Sequence, residues 1–402
     1  MPEAVVVAAT RSPIGRANKG SLVDMRPDDL ATQVVTSLLS RSGVAGTEVE
    51  DLIMGCGQPA GESGYNIGRV VAVESGMPDV PGVTVNRYCS SSLQTTRMAA
   101  HAIKAGEGDC FISAGVETVS RFMSGMSDGM PGTTNPRFDA ARARTAERAQ
   151  GGLGAWAPPE GLPDIYIAMG ETAENVAEYK QVPRERMDEF AALSQQRAVK
   201  SQQEGWFDWE ITPITLPDGT MVSKDDGPRD GTTKEKLSEL KPVFRPDGTI
   251  TAGNACPLND GAAAVLVMSD TKAKALGLTP LARIVASGVS GLNPEIMGLG
   301  PIEASKQAMA RAGMSIGDID LVEINEAFAA QVIPSADELG IEWDKLNVAG
   351  GAIALGHPFG MTGARITATL IHNLREHDET FGLETMCVGG GQGMAMIFER
   401  LS

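Results

Sequence analysis

Two stretches of the chain spell nearly the same phrase. Ser40-Arg-Ser-Gly-Val44 leads into Glu50-Asp-Leu-Ile53, and Ala310-Arg-Ala-Gly-Met314 leads into Ile319-Asp-Leu-Val322, about 270 residues further on. Each reads as a helix end closed by glycine, followed by the start of a short buried strand. A second pair follows in the same order. Residues 83–105 read as strand, Cys89 turn and small-residue helix; residues 346–374 read as strand, Gly-rich turn at His357 and small-residue helix. Two matches in one order at similar offsets predict a duplicated half.

Around these anchors the pattern is α/β. Residues 3–9 read as a buried strand, 28–39 as a helix behind Pro27, 51–54 as a strand, 67–74 as a helix, 83–86 and 110–114 as strands. Such alternation predicts a mostly parallel sheet with helices on its faces. Between residues 119 and 250 the alternation stops. Residues 120–137 are rich in Met, Gly and Ser, with Met123, Met126 and Met130; 171–180 and 184–203 read as helices; 212–249 is loop-rich. This segment holds 16 of the 34 Lys and Arg, so it reads either as an insertion capping an active site or as a solvated surface excursion. Residues 262–269 return as a strand of the first half. The expected organisation is therefore 1–118 plus 251–270 as one half, 119–250 as a loop domain, and 271–402 as the second half.

Composition narrows the function. At about 150 residues per domain, 402 residues suggest two or three domains with ample core. The chain has 47 Gly but only 4 Trp, 4 Tyr and 10 Phe, which predicts backbones packed close together through small side chains. A net charge of −17 disfavours nucleic acid and anionic membrane surfaces as partners. No apolar run is long enough to span a membrane, and no signal peptide is evident. The cysteines, Cys56, Cys89, Cys110, Cys256 and Cys387, are widely spaced with no CxxC pair, so no metal site is expected and a reducing cytoplasmic setting fits.

Four segments sit at strand ends, where open α/β sheets bind ligands. In Val85-Asn-Arg-Tyr-Cys89-Ser-Ser-Ser-Leu93 the cysteine precedes a helix, whose dipole and N–H groups would favour a thiolate. Alone it reads as a nucleophile or as a packed structural thiol. In Asn347-Val-Ala-Gly-Gly-Ala-Ile-Ala-Leu-Gly-His357-Pro-Phe-Gly-Met-Thr-Gly363, His357 is the one histidine of four placed in a Gly/Pro-rich turn after a strand. There it could take a proton from Cys89. Cys387-Val-Gly-Gly-Gly-Gln-Gly393 offers backbone N–H groups to an anion and adds a second thiol as acid/base. Val322-Glu-Ile-Asn-Glu-Ala-Phe328 sets Asn325 and Glu326 after a strand, either orienting a water or making structural hydrogen bonds.

Taken together, Cys89-Ser-Ser, Asn325-Glu-Ala-Phe, Gly356-His-Pro and Cys387-x-Gly-Gly-Gly resemble the thiolase family in order and spacing. So do Arg11-Ser-Pro-Ile-Gly15, Gly115-Val-Glu117 and Thr251-Ala-Gly-Asn-Ala-Cys-Pro-Leu-Asn-Asp-Gly261. The resemblance covers essentially the whole chain. It implies the thiolase fold: two duplicated halves forming a five-layer α-β-α-β-α sandwich, with a loop domain over coenzyme A. It implies Cys89 as the acyl-carrying nucleophile, His357 as its activator, and Cys387 as acid/base. One oxyanion hole would come from His357 and a water held by Asn325, the other from the N–H groups of Cys89 and Gly389. CoA contact falls to Arg229, in Asp225-Asp-Gly-Pro-Arg-Asp-Gly-Thr232, and to Met169, Ala255, Cys256 and Phe328. CoA and acyl-CoA are then substrates, with no permanently bound cofactor, and a homo-oligomer, dimer or tetramer, is expected.

Two departures bear on substrate. Many short-chain acetoacetyl-CoA thiolases carry His where this chain has Ala168, and their loop after Gly-Val-Glu differs from Arg121-Phe-Met-Ser-Gly-Met126. Both point to a degradative 3-ketoacyl-CoA thiolase of the β-oxidation type. The alternative is a biosynthetic enzyme condensing two acetyl-CoA. Cys256 stands where the family often has Ser and reads as pocket lining. Ketoacyl synthases and hydroxymethylglutaryl-CoA synthase share the fold but do not pair Gly-His-Pro with a terminal Cys-x-Gly-Gly-Gly. A CoA-binding protein with dead catalytic positions would not keep all four.

Overall fold

The structure, a computed structural model, describes residues 2–124 and 131–402. Met126 and Met130 of the Met-rich stretch lie outside the described residues. The first half contributes strands Ala4–Arg11, Asp51–Gly55, Gly82–Val85, Cys110–Thr118 and Asn259–Ser269. Numbered along the chain, they lie across the sheet in the order third, second, fourth, fifth, first. The second half contributes Ala282–Gly291, Leu321–Ile324, Phe381–Val388 and Gln392–Arg400, and repeats that order with one strand missing. Parallel and antiparallel pairings match strand for strand. The two first strands join antiparallel at Val5–Arg283 and Val6–Ala282, so equivalent strands meet across a local two-fold axis.

The repeated phrase is structurally equivalent in the two halves. Helix Pro27–Ser42 ends on Gly43 at φ 69° and helix Gly300–Ala312 on Gly313 at φ 68°, left-handed caps that glycine adopts without strain. A single 3-10 turn and a strand follow each: Gly46–Glu48 with Asp51–Gly55, and Ile316–Asp318 with Leu321–Ile324. The strand expected near residue 346 shrinks to one bridge between Val322 and Leu346. The cause is Asn347. Its side-chain amide accepts from the Ile324 N–H and donates to the Ile324 carbonyl, both at 2.9 Å, replacing the backbone that a third strand would supply.

Three large apolar cores, and a small fourth built on Val176, Leu299 and Ile302, lie between the five layers. Leu30, Val34 and Leu38 pack on Leu52, Ile112 and Leu266 outside the first sheet. Leu93 and Ile103 of helix Ser91–Ala105 meet Ile366 and Leu370 of helix Thr362–Glu376 between the sheets. Met309, Val332 and Ile333 cover the second sheet. Helices Met169–Tyr179 and Arg184–Gln203 add Ala173, Met187 and Phe190 to this last core, so much of the 119–250 segment rests on the second half. The central helices approach backbone to backbone: a Cβ on Gly363 would stand 2.3 Å from the Leu93 nitrogen. That contact explains the glycine-rich, aromatic-poor composition. It also aligns two helix N-termini, one behind Cys89 and one behind His357.

Candidate active site

Cys89 lies in the single turn Tyr88–Ser90, directly ahead of helix Ser91–Ala105. Tyr88 takes φ 42°, a left-handed conformation strained for a non-glycine residue. Hydrogen bonds hold it there: Tyr88 N–H donates to Asn86 Oδ1 at 2.8 Å and Ser91 Oγ donates to the Tyr88 carbonyl at 2.7 Å. The thiol of Cys89 is buried, and the backbone N–H groups of Gly389 and of Cys89 itself favour its charged form. The expected thiolate is not the resting state. Desolvation outweighs those N–H groups, and with the nearby Glu117 it pushes the thiol up to about 11. At neutral pH only about one thiol in ten thousand is ionised at such a value, so a base is required.

His357 follows the short helix Ala352–Leu355 and precedes helix Thr362–Glu376. It is 1% exposed, and burial together with Arg365 pushes its pKa down to about 3, so the ring is neutral. Its tautomer follows from one hydroxyl. Thr362 Oγ1 donates to the Pro358 carbonyl at 2.7 Å, and Nδ1 lies 2.6 Å from the same oxygen. That oxygen has spent its only hydrogen, so Nδ1 carries the proton and Nε2 is left as acceptor. Asn325 Nδ2 stands 3.3 Å from Nε2, while the buried Asn325 Oδ1 has no partner among the described residues. The His357 turn presses on the Cys89 turn: Ala364 N–H donates to Ser92 Oγ at 2.9 Å, and a Cβ on Gly57 would stand 3.0 Å from Phe359 Cβ and 3.6 Å from the Tyr88 carbonyl oxygen.

Two buried carboxylates hold these loops. Glu326 accepts from Ser194 Oγ at 2.6 Å, Asn347 Nδ2 at 2.8 Å and Ile353 N–H at 3.0 Å. Of the two readings left open for it, the hydrogen bonds favour the structural one. Glu117, which closes strand Cys110–Thr118, accepts from the N–H groups of Gly57, Gln58 and Gly360 and so ties the first half to the His357 loop. Desolvation nevertheless raises it to about 7.

Cys387 ends strand Phe381–Val388, one residue ahead of the glycine turn, and is fully buried. Gln331, on helix Ala329–Leu339, donates Nε2–H to its sulfur at 2.8 Å. Burial still raises this thiol well above its ordinary value, and the charges of Cys89 and Cys256 would raise it further. Three sulfurs therefore sense one another. Cys256 is half-buried and lines a cleft of about 340 Å³.

That cleft leads outward along residues of the 119–250 segment and of 251–257. Arg229, Ala255, Cys256 and Phe244 line it; Phe328 sits behind, against the Phe244 ring at 6.3 Å and bridged to Ala255. Met169 packs beside that wall in the core of the second half, and the Phe244 ring occupies the space a Gly170 side chain would take. Arg148, Arg184, Arg186, Lys180, Lys234 and Arg245 all pair with acids. Arg229 has no acid partner among the described residues, and neither does Arg16, a cleft residue from outside the segment. Burial and Arg16 together push the Arg229 guanidinium down. Its strand of chain is anchored by Asp225, which takes a bidentate pair from the buried Arg11 at 2.7 and 2.9 Å.

Among the described residues no cluster of three or more His, Cys, Asp or Glu could hold a metal ion, and no helix is long and apolar enough to cross a membrane. Sequence reasoning did not find Arg16, Phe244, Gln331 or Thr362. Arg16 was adjacent to a quoted motif and Thr362 lay inside one; Phe244 and Gln331 carry no local signal.

Comparison with known proteins bears on the family of the chain. Residues 4–271 match the thiolase N-terminal domain and residues 278–400 the thiolase C-terminal domain. A 3-ketoacyl-CoA thiolase of Bacillus subtilis is 43% identical, with 99% of this chain and 100% of the relative aligned. A 3-oxoadipyl-CoA/3-oxo-5,6-dehydrosuberyl-CoA thiolase of Escherichia coli is 44% identical over 100% of both chains, and an acetyl-CoA acetyltransferase of Pseudomonas aeruginosa is 43% identical over 100% of both. The crystal structure of the Bacillus anthracis acetyl-CoA acetyltransferase superposes with TM-score 0.86 at 40% identity, covering 100% of this chain and 99% of that one. With two matched domains, a shared fold and full-length relatives, the chain belongs to the thiolase family of acyltransferases.

Proposed function

We propose that the protein cleaves a 3-ketoacyl-CoA with CoA, giving acetyl-CoA and a shortened acyl-CoA through an acyl-Cys89 intermediate. The observation that carries this reading is the place of Cys89, buried in the turn ahead of helix Ser91–Ala105, where the backbone N–H groups of Cys89 and Gly389 favour its charged form. A carbonyl bonded to the Cys89 sulfur would place its oxygen among the same donors as negative charge develops there.

In this reading His357 Nε2 takes the Cys89 proton, and the thiolate attacks the 3-keto carbon. The protonated Nε2 then becomes a donor to oxygen, so one ring serves as base and as oxyanion partner, with Asn325 beside it. The C2–C3 bond breaks, its electron pair passes to C2 as an enolate, and the Cys387 thiol protonates C2 to release acetyl-CoA. CoA then attacks the acyl-cysteine. Its thiol proton returns to Cys387, and the His357 proton returns to Cys89. Splitting one hard transfer into two gives ping-pong kinetics. Arg16 and Arg229 would face CoA phosphates, while Ala255, Cys256 and Phe244 line the pantetheine path.

Ala168 in place of the short-chain enzymes' His supports a degradative enzyme accepting longer chains. A second reading, condensation of two acetyl-CoA, is supported by the acetyl-CoA acetyltransferase names among the relatives. Thiolysis rates over 3-ketoacyl-CoAs from four to sixteen carbons separate them. The degradative reading expects comparable or higher kcat/KM above six carbons; a sharp optimum at four carbons overturns it. A reducing cytoplasmic setting belongs to the same reading, with all five cysteines free. So does a homo-oligomer, for which the edge strand Gly82–Val85 offers an open ladder.

A further inference from the structure

We infer that Gln331 is a positioning residue for the reaction: its side-chain amide donates to the Cys387 sulfur and holds the acid/base thiol in a state it can leave and regain at neutral pH. The inference rests on the proposed role of Cys387. Gln331 is 1% exposed and Cys387 0%, and Nε2 stands 2.8 Å from Sγ. The sulfur is reached from helix Ala329–Leu339, a different element from the strand that carries it. The Gln331 side chain is closely packed there: a Cβ on Gly298 would stand 2.8 Å from Gln331 Cβ and 3.1 Å from its Oε1.

The chemistry needs such a donor. Cys387 must give a proton to carbon and take one back from a thiol, and in between it is a thiolate with no access to water. The titratable groups that face it are Cys89, from the turn ahead of the central helix, and Cys256, from the cleft wall; both oppose its ionisation. Gln331 is the side chain in contact that favours the charged form. A hydrogen bond to a charged acceptor inside a protein contributes enough to move a pKa by about one to two units. The amide does not ionise between pH 6 and 10, so it tunes the thiol without competing for the reaction's proton.

The test compares the wild type with Gln331→Met and Gln331→Leu, which keep the volume and remove the donor, and with Cys387→Ala. Condensation and thiolysis are followed from pH 6 to 10, and acetyl trapped on Cys89 is measured by mass spectrometry. The expected result is that the rising, thiolate-dependent limb of the condensation profile moves to higher pH by about one to two units, read as a roughly 10- to 100-fold loss at every pH below that limb's pKa. Acetyl should still reach Cys89 in both variants. A rising limb that stays where it is in the wild type, or loss of folding in both variants, overturns the inference and makes Gln331 a packing residue. If Cys387→Ala turns over normally, it is the acid/base reading of Cys387 that fails, whatever the Gln331 variants do.

Discussion

The base at His357 depends on a single hydroxyl, and Thr362→Val isolates it. Valine matches threonine in shape, so the helix start survives while two hydrogen bonds vanish: 2.6 Å to His357 Nδ1 and 2.7 Å to the Pro358 carbonyl. Leaving the buried Nδ1–H without a partner costs about 1–3 kcal/mol. The ring can avoid that cost by moving its proton to Nε2, which then cannot accept from Cys89. The competent tautomer therefore falls by roughly 5- to 150-fold, and kcat with it. KM for CoA should stay within about twofold, because Thr362 lies apart from the cleft residues. Thr362→Ser restores the hydroxyl and should recover most of the rate. The assay is thiolysis of acetoacetyl-CoA, read as loss of its magnesium-enolate absorbance, at several pH values. The deficit should persist from pH 6 to 9, since His357 is neutral throughout, its pKa being depressed to about 3. A valine variant within about twofold of wild type, or a serine variant as slow as valine, refutes the tautomer argument.

Removing either unpaired cleft cation, by Arg16→Ala or Arg229→Ala, should raise KM for CoA roughly tenfold with a smaller change in kcat, and added salt should narrow the gap; an unchanged KM would place the phosphates elsewhere. Gly227→Ala would put a Cβ 2.1 Å from the Ala354 carbonyl and displace the chain carrying Arg229. We expect a stability loss of about 1–3 kcal/mol in denaturant titrations together with a raised KM for CoA, and wild-type values for both would show that the close approach does not matter. Burial lifts Glu323 to about 8 from an ordinary value near 4.5, so its contribution to stability is full below about pH 4.5 and lost as pH rises through 8. Glu323→Gln should therefore lose less melting temperature than wild type between pH 5 and pH 8.5; an equal loss in both would show that Glu323 does not titrate there.

The parts of this protein that were legible in its sequence are those where one residue type can do one thing. Gly43 and Gly313 close equivalent helices and betrayed the duplication. Cys89 and Cys387 stand at strand ends and His357 in a Gly/Pro-rich turn, each among small residues, where a reactive side chain is held by backbone. What was hidden depends on meetings between distant segments. Gln331 is one glutamine on a helix until the fold brings it to a sulfur 56 positions away. Thr362 resembles any helix-start threonine until its hydroxyl is seen to have given away its hydrogen. The thiolate expected at Cys89 failed for a related reason: helix ends and N–H groups can be read locally, but desolvation is set by everything packed around the site. The third strand of the second half failed because an asparagine side chain can stand in for a strand, which no periodicity reveals.

The central claim is that Cys89, and neither of the two sulfurs near it, carries the acyl group. Peptide mass spectrometry after brief incubation with acetyl-CoA and acid quench tests it most directly. A single acetyl on the peptide containing Cys89, lost in Cys89→Ala and retained in Cys387→Ala, is the predicted result. Acetyl on Cys387 or Cys256 in the wild type, or adduct persisting in Cys89→Ala, would contradict it.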